Sequence, residues 1–549
     1  MRDVIVIGGG VAGLVAAREC AHIGLSVTVL EATDAVGGAV AHHEVAGLTL
    51  DSGAESFAVR RGSVAKFVAQ LGLSDEVVAP NPAGAWLHLP AHGTSGGTGG
   101  GPGGRPGGRP DGELAGGSVS VPLPRAGVLG IPGSPLATDV RRVLGWGGAW
   151  RAYLDRLIPV LKIGREHSLG ELVRKRMGRR VLERLVEPVA SGVYSASALD
   201  LEVDVVAPGL NGALTTTGSL SGAVLALRAA APAGSAVGGL RGGMSRLVDA
   251  LVADLEHFGV EIVTGSRVQG LVAGGSDDDP VWTVTLGEVA PATDGEGADT
   301  SATDTSATGG PATGGPATSS PVTDGSAASS PVTDGPTLVN TPLESRFVIV
   351  ATPGSQALDL LASLGPELAA LTELDWPEPT VVELATIVID APALDVHPRG
   401  TGVLVAAGTP GVTAKALTHV SAKWAWVAED AGPGRHVIRL SYGRAGEESA
   451  TADLGDVEFQ TLALRDASTL LGVELAADVV RGFARTEWRD ALSPATIGAR
   501  ERVASVREAI AATPGLDLTG AWLAGTGLAS VIPDALATAG RIRHLALGL

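Results

Sequence analysis

The sequence predicts an α/β fold with a parallel sheet, and its first residues give the clearest pattern. Two short apolar runs, VIVI at 4–7 and SVTVLEA at 26–32, indicate buried parallel strands. The small residues between them, at 11–23, favour a helix that packs on the sheet and ends at Gly24. A strand, a crossover helix and a second strand form the unit from which parallel sheets are built.

The rest of the chain continues this alternation in separated pieces. We expect strands at 259–272, 281–286 and 346–353, a helix at 242–259, mainly helices at 136–227, several strands within 380–442, and a final strand, glycine turn and helix at 521–549. One α/β domain is therefore assembled from distant stretches, with a mixed α+β domain inserted between them. The predicted segments are 1–75, 238–375 and 491–549 for the first domain, and 76–237 and 376–490 for the second.

Two segments have the composition of disordered insertions. Residues 93–118 and 288–342 consist largely of Gly, Pro, Ser and Thr, and PVTDG occurs at both 321 and 331 in the second segment. Such sequences bury too little apolar surface to offset the entropy of ordering. We expect both to be disordered surface insertions.

Composition and charge exclude several classes of function. With 549 residues the chain exceeds the usual domain of about 100–200 residues. Its net charge of −19 argues against a nucleic-acid partner, since phosphate contacts need clustered Lys and Arg. The single cysteine, Cys20, cannot form an intramolecular disulfide, and the 11 histidines are scattered, so no metal site is predicted.

The same reading bears on location. The first residues run directly into a strand without the features of a signal peptide, so we expect a cytoplasmic protein. The longest uncharged stretch, 205–227, contains Pro208 and many small polar residues, which makes it a poor membrane span. Peripheral contact with a membrane surface stays open.

The chemistry begins with a glycine motif between the first strand and helix. Gly8, Gly10 and Gly13 satisfy G-x-G-x-x-G in the context that a dinucleotide site requires. The first two glycines let the backbone approach a pyrophosphate, and the third lets the helix pack on the sheet. Glu31 ends the second strand, where its carboxylate can accept hydrogen bonds from ribose hydroxyls.

The nucleotide can be FAD or NAD, and two further features favour FAD. A second glycine turn, Gly37 and Gly38, is followed by DSGAES at 51–56, which offers amides and hydroxyls to a flavin ring. Near the other end of the chain, Pro533 suits the first turn of a helix. The amides of 530–532 would then face the carbonyl edge of a reduced flavin. A second G-x-G-x-x-G after a strand is missing, so a separate nicotinamide site is unsupported.

Several longer segments give a resemblance to a known family. DSGAESFAVRRGSVAKFVAQLGL, LVEPVASGVYSASALDLEVDVVAP, GLRGGMSRLVDAL and KALTHVSAKW resemble the protoporphyrinogen/coproporphyrinogen oxidase family of FAD enzymes, in particular the coproporphyrinogen III oxidases of Gram-positive bacteria. The resemblance implies a Rossmann-like FAD-binding domain of the glutathione-reductase/p-hydroxybenzoate-hydroxylase type with an inserted substrate domain. It also implies FAD contacts at Gly8, Gly9, Gly10, Val11, Ala12, Gly13, Glu31, Ala32, Gly38, Ala39, Gly53, Ala54, Glu55, Ser56, Val268, Trp488, Ser530, Val531 and Ile532.

The resemblance further implies the reaction. Six electrons and six protons leave a porphyrinogen in three cycles, with hydride transfer to flavin N5 and oxygen as the acceptor that yields hydrogen peroxide. No catalytic side chain is predicted, because the cofactor carries the difficult chemistry. The propionates of the substrate call for cations, and the candidates are Arg61, then Arg60 and Lys423, with Tyr194 lining the cavity.

Four alternatives stay distinct at this point. The preferred substrate can be coproporphyrinogen III or protoporphyrinogen IX. The same fold also occurs in amine and carotenoid oxidoreductases. A flavin-binding scaffold without turnover is the interpretation that the motifs support least. Hand-off of product to other enzymes of the haem pathway is expected for the porphyrin reading.

Overall fold

The computed structural model describes residues 1–59, 62–91, 117–125, 127–159, 166–230, 237–276, 279–287, 342–378, 381–447, 449–489 and 495–548. The predicted insertions at 93–118 and 288–342 lie outside the described residues, except for 117–118 and 342. Ser118 is the first residue of a strand, so the first insertion was placed slightly too far along the chain.

The strands are short and distributed over the whole described chain. They are β1 Arg2–Ile7, β2 Val27–Leu30, β3 His42–Val45, β4 Leu48–Asp51, β5 Phe57–Ala58, β6 Val77–Val78, β7 Ala85–Pro90, β8 Ser118–Pro122, β9 Gly127–Val128, β10 Ile131–Pro132, β11 Val237–Leu240, β12 Glu261–Val263, β13 Val268–Gly275, β14 Pro280–Leu286, β15 Leu343–Val350, β16 Val381–Asp390, β17 Gly402–Val405, β18 Ala416–His419, β19 Arg435–Tyr442, β20 Val480–Arg489 and β21 Leu516–Leu518.

The helices concentrate between 138 and 257 and after 354. They are α1 Val11–Ala21, α2 Ser63–Gln70, α3 Thr138–Tyr153, α4 Leu169–Met177, α5 Arg179–Val181, α6 Glu187–Tyr194, α7 Val203–Val206, α8 Leu210–Thr217, α9 Leu220–Ala229, α10 Ser245–His257, α11 Gly354–Ala362, α12 Pro366–Ala369, α13 Val420–Lys423, α14 Ala425–Ala431, α15 Asp456–Leu471, α16 Ala499–Ala511, α17 Ala521–Ala524 and α18 Leu528–Leu547. Within the described ranges, every helix is too short or too polar to cross a lipid bilayer.

The first sheet joins strands from both ends and the middle of the chain. Parallel strands run in the order β12, β2, β1, β15, and β21 pairs in parallel with the far end of β15. β14 and β13 extend the sheet in antiparallel fashion. Apolar residues on one face pack with α1, α10 and α18, and those on the other face pack with α11 and α16. A sheet covered on both faces explains why β1 and β2 are almost continuously apolar.

The second sheet has seven strands in the order β20, β16, β19, β18, β17, β7, β8. One face of it packs with α15 in a separate core. At the β7–β8 edge, Leu87 and Leu89 belong to the core of the helices α3 to α9. The boundaries of the two predicted domains stay a prediction, although the strands of each sheet derive from the segments assigned to that domain.

The carboxyl-terminal elements differ from the prediction. The segment predicted as a strand, at 521–524, forms the short helix α17, because Gly520 at φ 136° and Gly525 at φ 96° bracket one helical turn. The strand lies earlier, at β21. The last helix begins at Leu528, so Pro533 is its sixth residue instead of its first-turn residue.

Candidate functional site

The predicted glycine turn connects β1 to α1 by a close backbone approach. Gly8 has φ 108°, and a Cβ on Gly13 would lie 1.9 Å from the Gly8 carbonyl oxygen, so both positions need glycine. Gly10 is the N-cap of α1 and gives no side-chain cap, and no protein atom lies within 4 Å of where its Cβ would be. The first turn of α1, at Val11 and Ala12, therefore presents uncapped amides beside open space, which suits a phosphate.

Glu31 lies directly after β2, beside this turn. Its Oε2 accepts a hydrogen bond from the Gly9 amide at 2.7 Å, and its Oε1 accepts from the Thr33 amide and hydroxyl, both at 2.9 Å. The carboxylate thus fixes the glycine turn and its own loop. Ala32 lies between Glu31 and Thr33 in the chain. The contact of Glu31 with a ribose stays a prediction.

Val268 begins β13 near the same loop. The Ser266 amide donates to the Glu31 carbonyl at 2.7 Å, and the Gly265 amide donates to the Thr33 carbonyl at 2.7 Å. These bonds bring the segment before Val268 against the loop after β2, as an adenine contact there would require. The side chain of Val268 itself packs against an apolar core.

Three stretches that the sequence analysis selected meet through their backbones. The Gly37 amide donates to the Gly9 carbonyl at 2.8 Å, and the Ala54 amide donates to the Ala39 carbonyl at 2.8 Å. A Cβ on Gly53 would lie 2.2 Å from the Ala39 oxygen, and one on Gly38 would lie 3.3 Å from the Gly10 Cα. The residues 8–13, 37–39 and 53–54 therefore form one glycine-lined cluster.

Trp488 joins this cluster from the second sheet. Its Nε1 donates to the Ser52 carbonyl at 2.9 Å, and its ring atom Cζ2 would lie 3.2 Å from a Cβ on Gly53. The prediction selected Trp488 from 436 residues away in sequence. The hydrogen bond shows that this strand of the second sheet reaches the turn 52–53.

The C-terminal helix does not present the amides that the sequence analysis expected. The amides of Ser530 and Val531 donate to the Gly527 carbonyl at 3.0 and 3.1 Å, so they are part of the helix. Ile532 is buried in the core with α1, and the Val531 side chain is also buried. The prediction of outward-facing amides at 530–532 is wrong, because the helix starts earlier than Pro533 indicated. Flavin contacts by these residues stay a prediction.

A buried carboxylate with two cations lies next to the glycine-lined cluster. Glu55 accepts a hydrogen bond from Lys423 Nζ at 2.5 Å and forms an ion pair with Arg439 Nη2 at 2.9 Å, and the three side chains are 12%, 16% and 11% exposed. Burial alone would raise the pKa of Glu55, but the charges of Arg439 and Lys423 lower it to about 2. We call these three residues the Glu55 triad.

Arg439 also supports the backbone of the cluster. Its Nη1 donates to the carbonyls of Asp51 at 3.1 Å and Gly53 at 2.9 Å. The sequence analysis missed Arg439. Its signal was a lone cation inside the apolar strand HVIRLSYG, where a buried charge requires a partner.

Asp51 is a second residue that the sequence analysis did not select. Its Oδ1 accepts from the Met244 amide at 2.7 Å. Burial and the negative charge of Glu55 raise the pKa of Asp51, the Met244 amide and Arg439 oppose the rise, and the resulting pKa is about 7. A small pocket is lined by Asp51, Glu55 and Arg439 together with apolar side chains. This carboxyl can hold or release a proton near neutral pH.

The remaining predicted residues lie elsewhere. Tyr194 ends α6 and packs against the helical core instead of the Glu55 triad, and burial raises the pKa of its hydroxyl. The next residue, Ser195, has φ 55°, and its hydroxyl accepts a hydrogen bond from the buried Lys415. Arg60 and Arg61 lie outside the described residues. Within the ranges that are described, no group of three His, Cys, Asp or Glu side chains could hold a metal ion.

The glycine-lined cluster fits a dinucleotide, and comparison with known proteins identifies its class. Residues 11–296 match the family described as flavin containing amine oxidoreductase, which is more than half of the chain. The chain belongs to this family. The predictions of a flavin cofactor and of an oxidoreductase are thereby confirmed, as is the α/β flavin-oxidoreductase fold.

Individual members of the family are similar over almost the full chain. The chain is 24% identical to the coproporphyrinogen III oxidase of Bacillus subtilis (strain 168), with 97% of this chain and 96% of that protein covered. It is 27% identical to the coproporphyrinogen III oxidase of Mycobacterium leprae (strain TN), with 98% and 97% covered. The resemblance derived from the motifs is therefore confirmed.

A solved structure supports the fold. A putative protoporphyrinogen oxidase from Exiguobacterium sp. 255-15 aligns with a TM-score of 0.71 and 22% identity, covering 100% of this chain and 99% of that chain. At 22% identity this similarity shows the fold and does not identify the substrate.

Proposed function

We propose that this protein binds FAD in the glycine-lined cluster and oxidises coproporphyrinogen III to coproporphyrin III in haem biosynthesis. The observation that carries the proposal is similarity to coproporphyrinogen III oxidases over nearly the whole length of both chains. The finer fold assignment belongs to the same proposal. It is a Rossmann-like domain of the glutathione-reductase/p-hydroxybenzoate-hydroxylase type, built on the first sheet, with a substrate domain built on the second.

The residues that would hold FAD follow from the contacts above. The uncapped first turn of α1, with the open space at Gly10, suits the pyrophosphate, and Glu31 has the position of a ribose acceptor. In this proposal the turn 52–54 and Trp488, which are joined by a hydrogen bond, border the flavin ring. When bound, FAD accepts two electrons at a time, so the six-electron conversion takes three cycles.

The Glu55 triad supplies the charge that a porphyrinogen needs. Two cations share one carboxylate, so the group carries net positive charge in a partly dry environment. A substrate with several propionates is attracted by such a group, since guanidinium and ammonium bind carboxylates. Lys423, which we predicted to bind substrate, is held by Glu55 in this structure and would have to contact a propionate from that position.

The protons that leave the substrate need an acceptor. The porphyrinogen loses six protons and six electrons, which three oxygen molecules take up as hydrogen peroxide, and Asp51 is a described group near the cluster whose pKa lies near neutral. We do not assign it as a base. The proposal also includes oxygen as the electron acceptor and hydrogen peroxide as a product. It further includes a cytoplasmic location and transfer of the porphyrin to other haem enzymes.

The test uses the purified flavin-loaded protein in air. Chemically reduced coproporphyrin III is added, and the appearance of porphyrin fluorescence is followed together with hydrogen peroxide. The proposal expects porphyrin and peroxide in a ratio of one to three. A preparation that binds flavin but oxidises no porphyrinogen would indicate a scaffold, and turnover of amines or carotenoids instead would place the chain with other members of the family.

A second candidate substrate is protoporphyrinogen IX, because the Exiguobacterium structure is described as a putative protoporphyrinogen oxidase. The two substrates differ in charge, with four propionates on coproporphyrinogen and two on protoporphyrinogen. Measuring kcat/KM for both under the same conditions separates them. A higher value for protoporphyrinogen would replace the substrate and leave the flavin site in place.

A further inference from the structure

The small pocket beside the Glu55 triad contains polar atoms that the triad does not use. It is lined by Asp51, Thr386 and Trp424 in addition to Glu55 and Arg439, and we call it the Asp51 pocket. Thr386 and Trp424 are each only 2% exposed. Within the described part of the chain, the Thr386 hydroxyl and the Trp424 indole N–H have no hydrogen-bond partner. Buried polar atoms are nearly always paired with protein groups or with bound water, so these two atoms indicate a water site.

The two atoms belong to firmly placed side chains. Thr386 on β16 is the direct partner of Arg439 on β19, so both side chains lie on the same face of the second sheet. A Cβ on Gly239 would lie 2.8 Å from the Trp424 ring, which shows how closely the ring is packed. The free space in the pocket has the size of about one water molecule. The pocket therefore offers room and polar partners for a single bound water.

Asp51 brings a carboxylate to the same pocket. Its Oδ1 accepts from the Met244 amide at 2.7 Å, and a Cβ on Gly243, which has φ 96°, would lie only 2.9 Å from this oxygen. The Asp51 carbonyl accepts from Arg439 Nη1, which also donates to the Gly53 carbonyl. The carboxylate is thus fixed two residues before the glycine that lies in the glycine-lined cluster.

The groups around Asp51 differ in whether they change charge near neutral pH. Glu55 stays ionised, since its pKa is about 2, and Arg439 is always protonated. His42 is the direct partner of Asp51 in the β3–β4 pair and is exposed to solvent. Burial and the charge of Arg439 lower the pKa of His43, so that ring is neutral. The part-buried carboxyl of Asp51, with a pKa of about 7, can gain or lose a proton there.

We propose that Asp51, through a water molecule bound by Thr386 and Trp424, carries the proton that leaves the porphyrinogen in each two-electron cycle. The inference rests on the proposed function. Each cycle removes one hydride and one separate proton from the porphyrinogen, and the Asp51 carboxylate takes up this proton by way of the water. Oxygen then receives two electrons and two protons, one from the hydride and one from Asp51, which gives hydrogen peroxide and restores the carboxylate.

This role does not require Asp51 to touch the porphyrinogen, because the water transfers the proton. A carboxyl that titrates near the working pH suits both steps, since it can accept a proton and give it back. A purely structural Asp51 would hold the turn at Met244 and nothing more. Its replacement by asparagine would then change stability or flavin binding and leave the pH dependence of the reaction as it was.

The test mixes the flavin-loaded full chain with chemically reduced coproporphyrin III in the absence of oxygen and follows flavin bleaching by stopped flow. In the unmodified protein the rate should rise with pH through about 7, as the carboxylate form accumulates. D51N keeps an acceptor for the Met244 amide but takes up no proton. It should be slower on the order of 10²-fold and lose this pH dependence, and D51E should restore both in part.

A pH-indicator dye in weakly buffered solution gives a second measurement. The unmodified protein should release fewer protons to solvent per flavin reduced than D51N, because Asp51 retains the proton until oxygen is added. T386V and W424F remove the two unpaired groups of the pocket. Each should slow flavin bleaching and keep its pH dependence, since Asp51 is still present.

The matched control is D466N. Asp466 is also a buried carboxyl, its pKa is raised by burial, and it accepts from the amides of Thr413 and Ala414 at 3.0 and 2.9 Å. It lies on α15, outside the Asp51 pocket. D466N should leave the rate of flavin bleaching, its pH dependence and the proton release unchanged.

The outcomes separate this inference from the proposed function. A flavin-loaded D51N protein with the rate, pH dependence and proton release of the unmodified protein would overturn the inference and leave the proposed function intact. If D51N does not take up flavin, unchanged rates in both T386V and W424F would overturn it instead. An unmodified protein whose flavin is not bleached by the porphyrinogen would overturn the proposed function and this inference with it.

Discussion

At the scale of single residues, the Glu55 triad is the arrangement on which the site depends most directly. Arg439 neutralises a buried carboxylate and bonds two carbonyls of the turn 51–53. The variant R439M should lower the free energy of unfolding by about 3–5 kcal/mol, because it leaves Glu55 with one cation and two carbonyls without a donor. Denaturant unfolding measures this loss, and flavin titration should show weaker binding.

A control for this variant lies on the same strand. Arg435 pairs with Asp390 at 2.8 Å, but both side chains are about a third exposed, at 35% and 34%. R435M should therefore lower the free energy of unfolding far less than R439M does. The double variant E55Q/R439M should be less destabilised than the sum of the single variants, since neither charge is then left alone. Equal losses for R439M and R435M would show that burial of the triad has no energetic consequence.

The raised pKa of Asp51 makes the stability of the protein depend on pH. In the folded state its pKa is about 7 against an ordinary 3.8, so between these values the folded protein binds more protons than the unfolded one. Stability from this group is therefore complete below pH 3.8 and is lost as pH rises toward 7. D51N keeps an acceptor for the Met244 amide and removes the titration.

The measurement compares D51N and the unmodified protein by denaturant unfolding from pH 5 to 8. The difference in stability should grow with pH in favour of D51N and level off above about pH 7. A constant difference over this range would mean that Asp51 does not titrate there.

The residues of the site differ in how far they could be predicted. Gly8, Gly13 and Glu31 follow from local rules, since strand, turn and helix are neighbours in sequence. Lys423 was selected as a cation for substrate, but its bond to Glu55 joins residues 368 apart. Arg439 was missed because its partners lie on loops that only the paired sheets bring near. In the sequence, a long-range ion pair is visible at most as a lone charged residue within an apolar strand.

At the scale of elements, the β1–turn–α1 unit separates two roles of glycine. A Cβ on Gly13 would lie 1.9 Å from the Gly8 oxygen, so G13A should force the helix away from the strand and cost about 1–3 kcal/mol. A Cβ on Gly10 meets no protein atom within 4 Å. G10A should leave the unfolding free energy of the flavin-free protein unchanged and weaken flavin binding, because the methyl group occupies the space beside the amides.

Both variants are measured by unfolding without flavin and by flavin titration. G540A controls for the replacement of a helical glycine without a close approach, because Gly540 lies within α18 and its Cβ would meet nothing beyond its own helix within 4 Å. Unchanged flavin affinity in G10A would place the pyrophosphate elsewhere.

The last helix shows where element prediction failed. Pro533 indicated a first turn, yet α18 starts five residues earlier and continues through the proline. A proline removes one hydrogen bond inside a helix, and here the carbonyl that lacks this donor, Ala529, accepts from the Ser63 hydroxyl at 3.4 Å. Ile532 buries its side chain in the core with α1, so packing outweighs the cost.

At the scale of the whole molecule, the first sheet shows how a discontinuous domain closes. β1 and β15 are neighbours although 341 residues separate Arg2 from Leu343, and β21 adds a third distant strand. The sequence predicted β1, β2, β14 and β15 as strands, whereas β21 was not predicted. Their order in the sheet could not be predicted, since nearly continuous apolar runs such as VIVI and RFVIV fit any central position.

The two low-complexity segments occupy equivalent positions in the two sheets. Pro90 pairs with Ser118 at the adjoining ends of antiparallel β7 and β8, and Val284 pairs with Leu343 between antiparallel β14 and β15. Each segment thus connects strand ends that are already adjacent. Replacing 92–116 or 288–341 by a short turn should keep flavin content and turnover, and the free energy of unfolding should stay equal or rise, because a shorter connection between adjacent strand ends has a smaller entropy cost of closure.

Deletion of the segments one at a time distinguishes connection from packing. Each shortened protein is compared with the full chain by flavin absorbance, porphyrinogen turnover and denaturant midpoint. A control deletion of 160–165, which does not join paired strands, should lower stability because it links the anchored turn at Asp155 to α4. A shortened protein that fails to fold after loss of 92–116 or 288–341 would show that the segment packs on the sheet whose strands it joins.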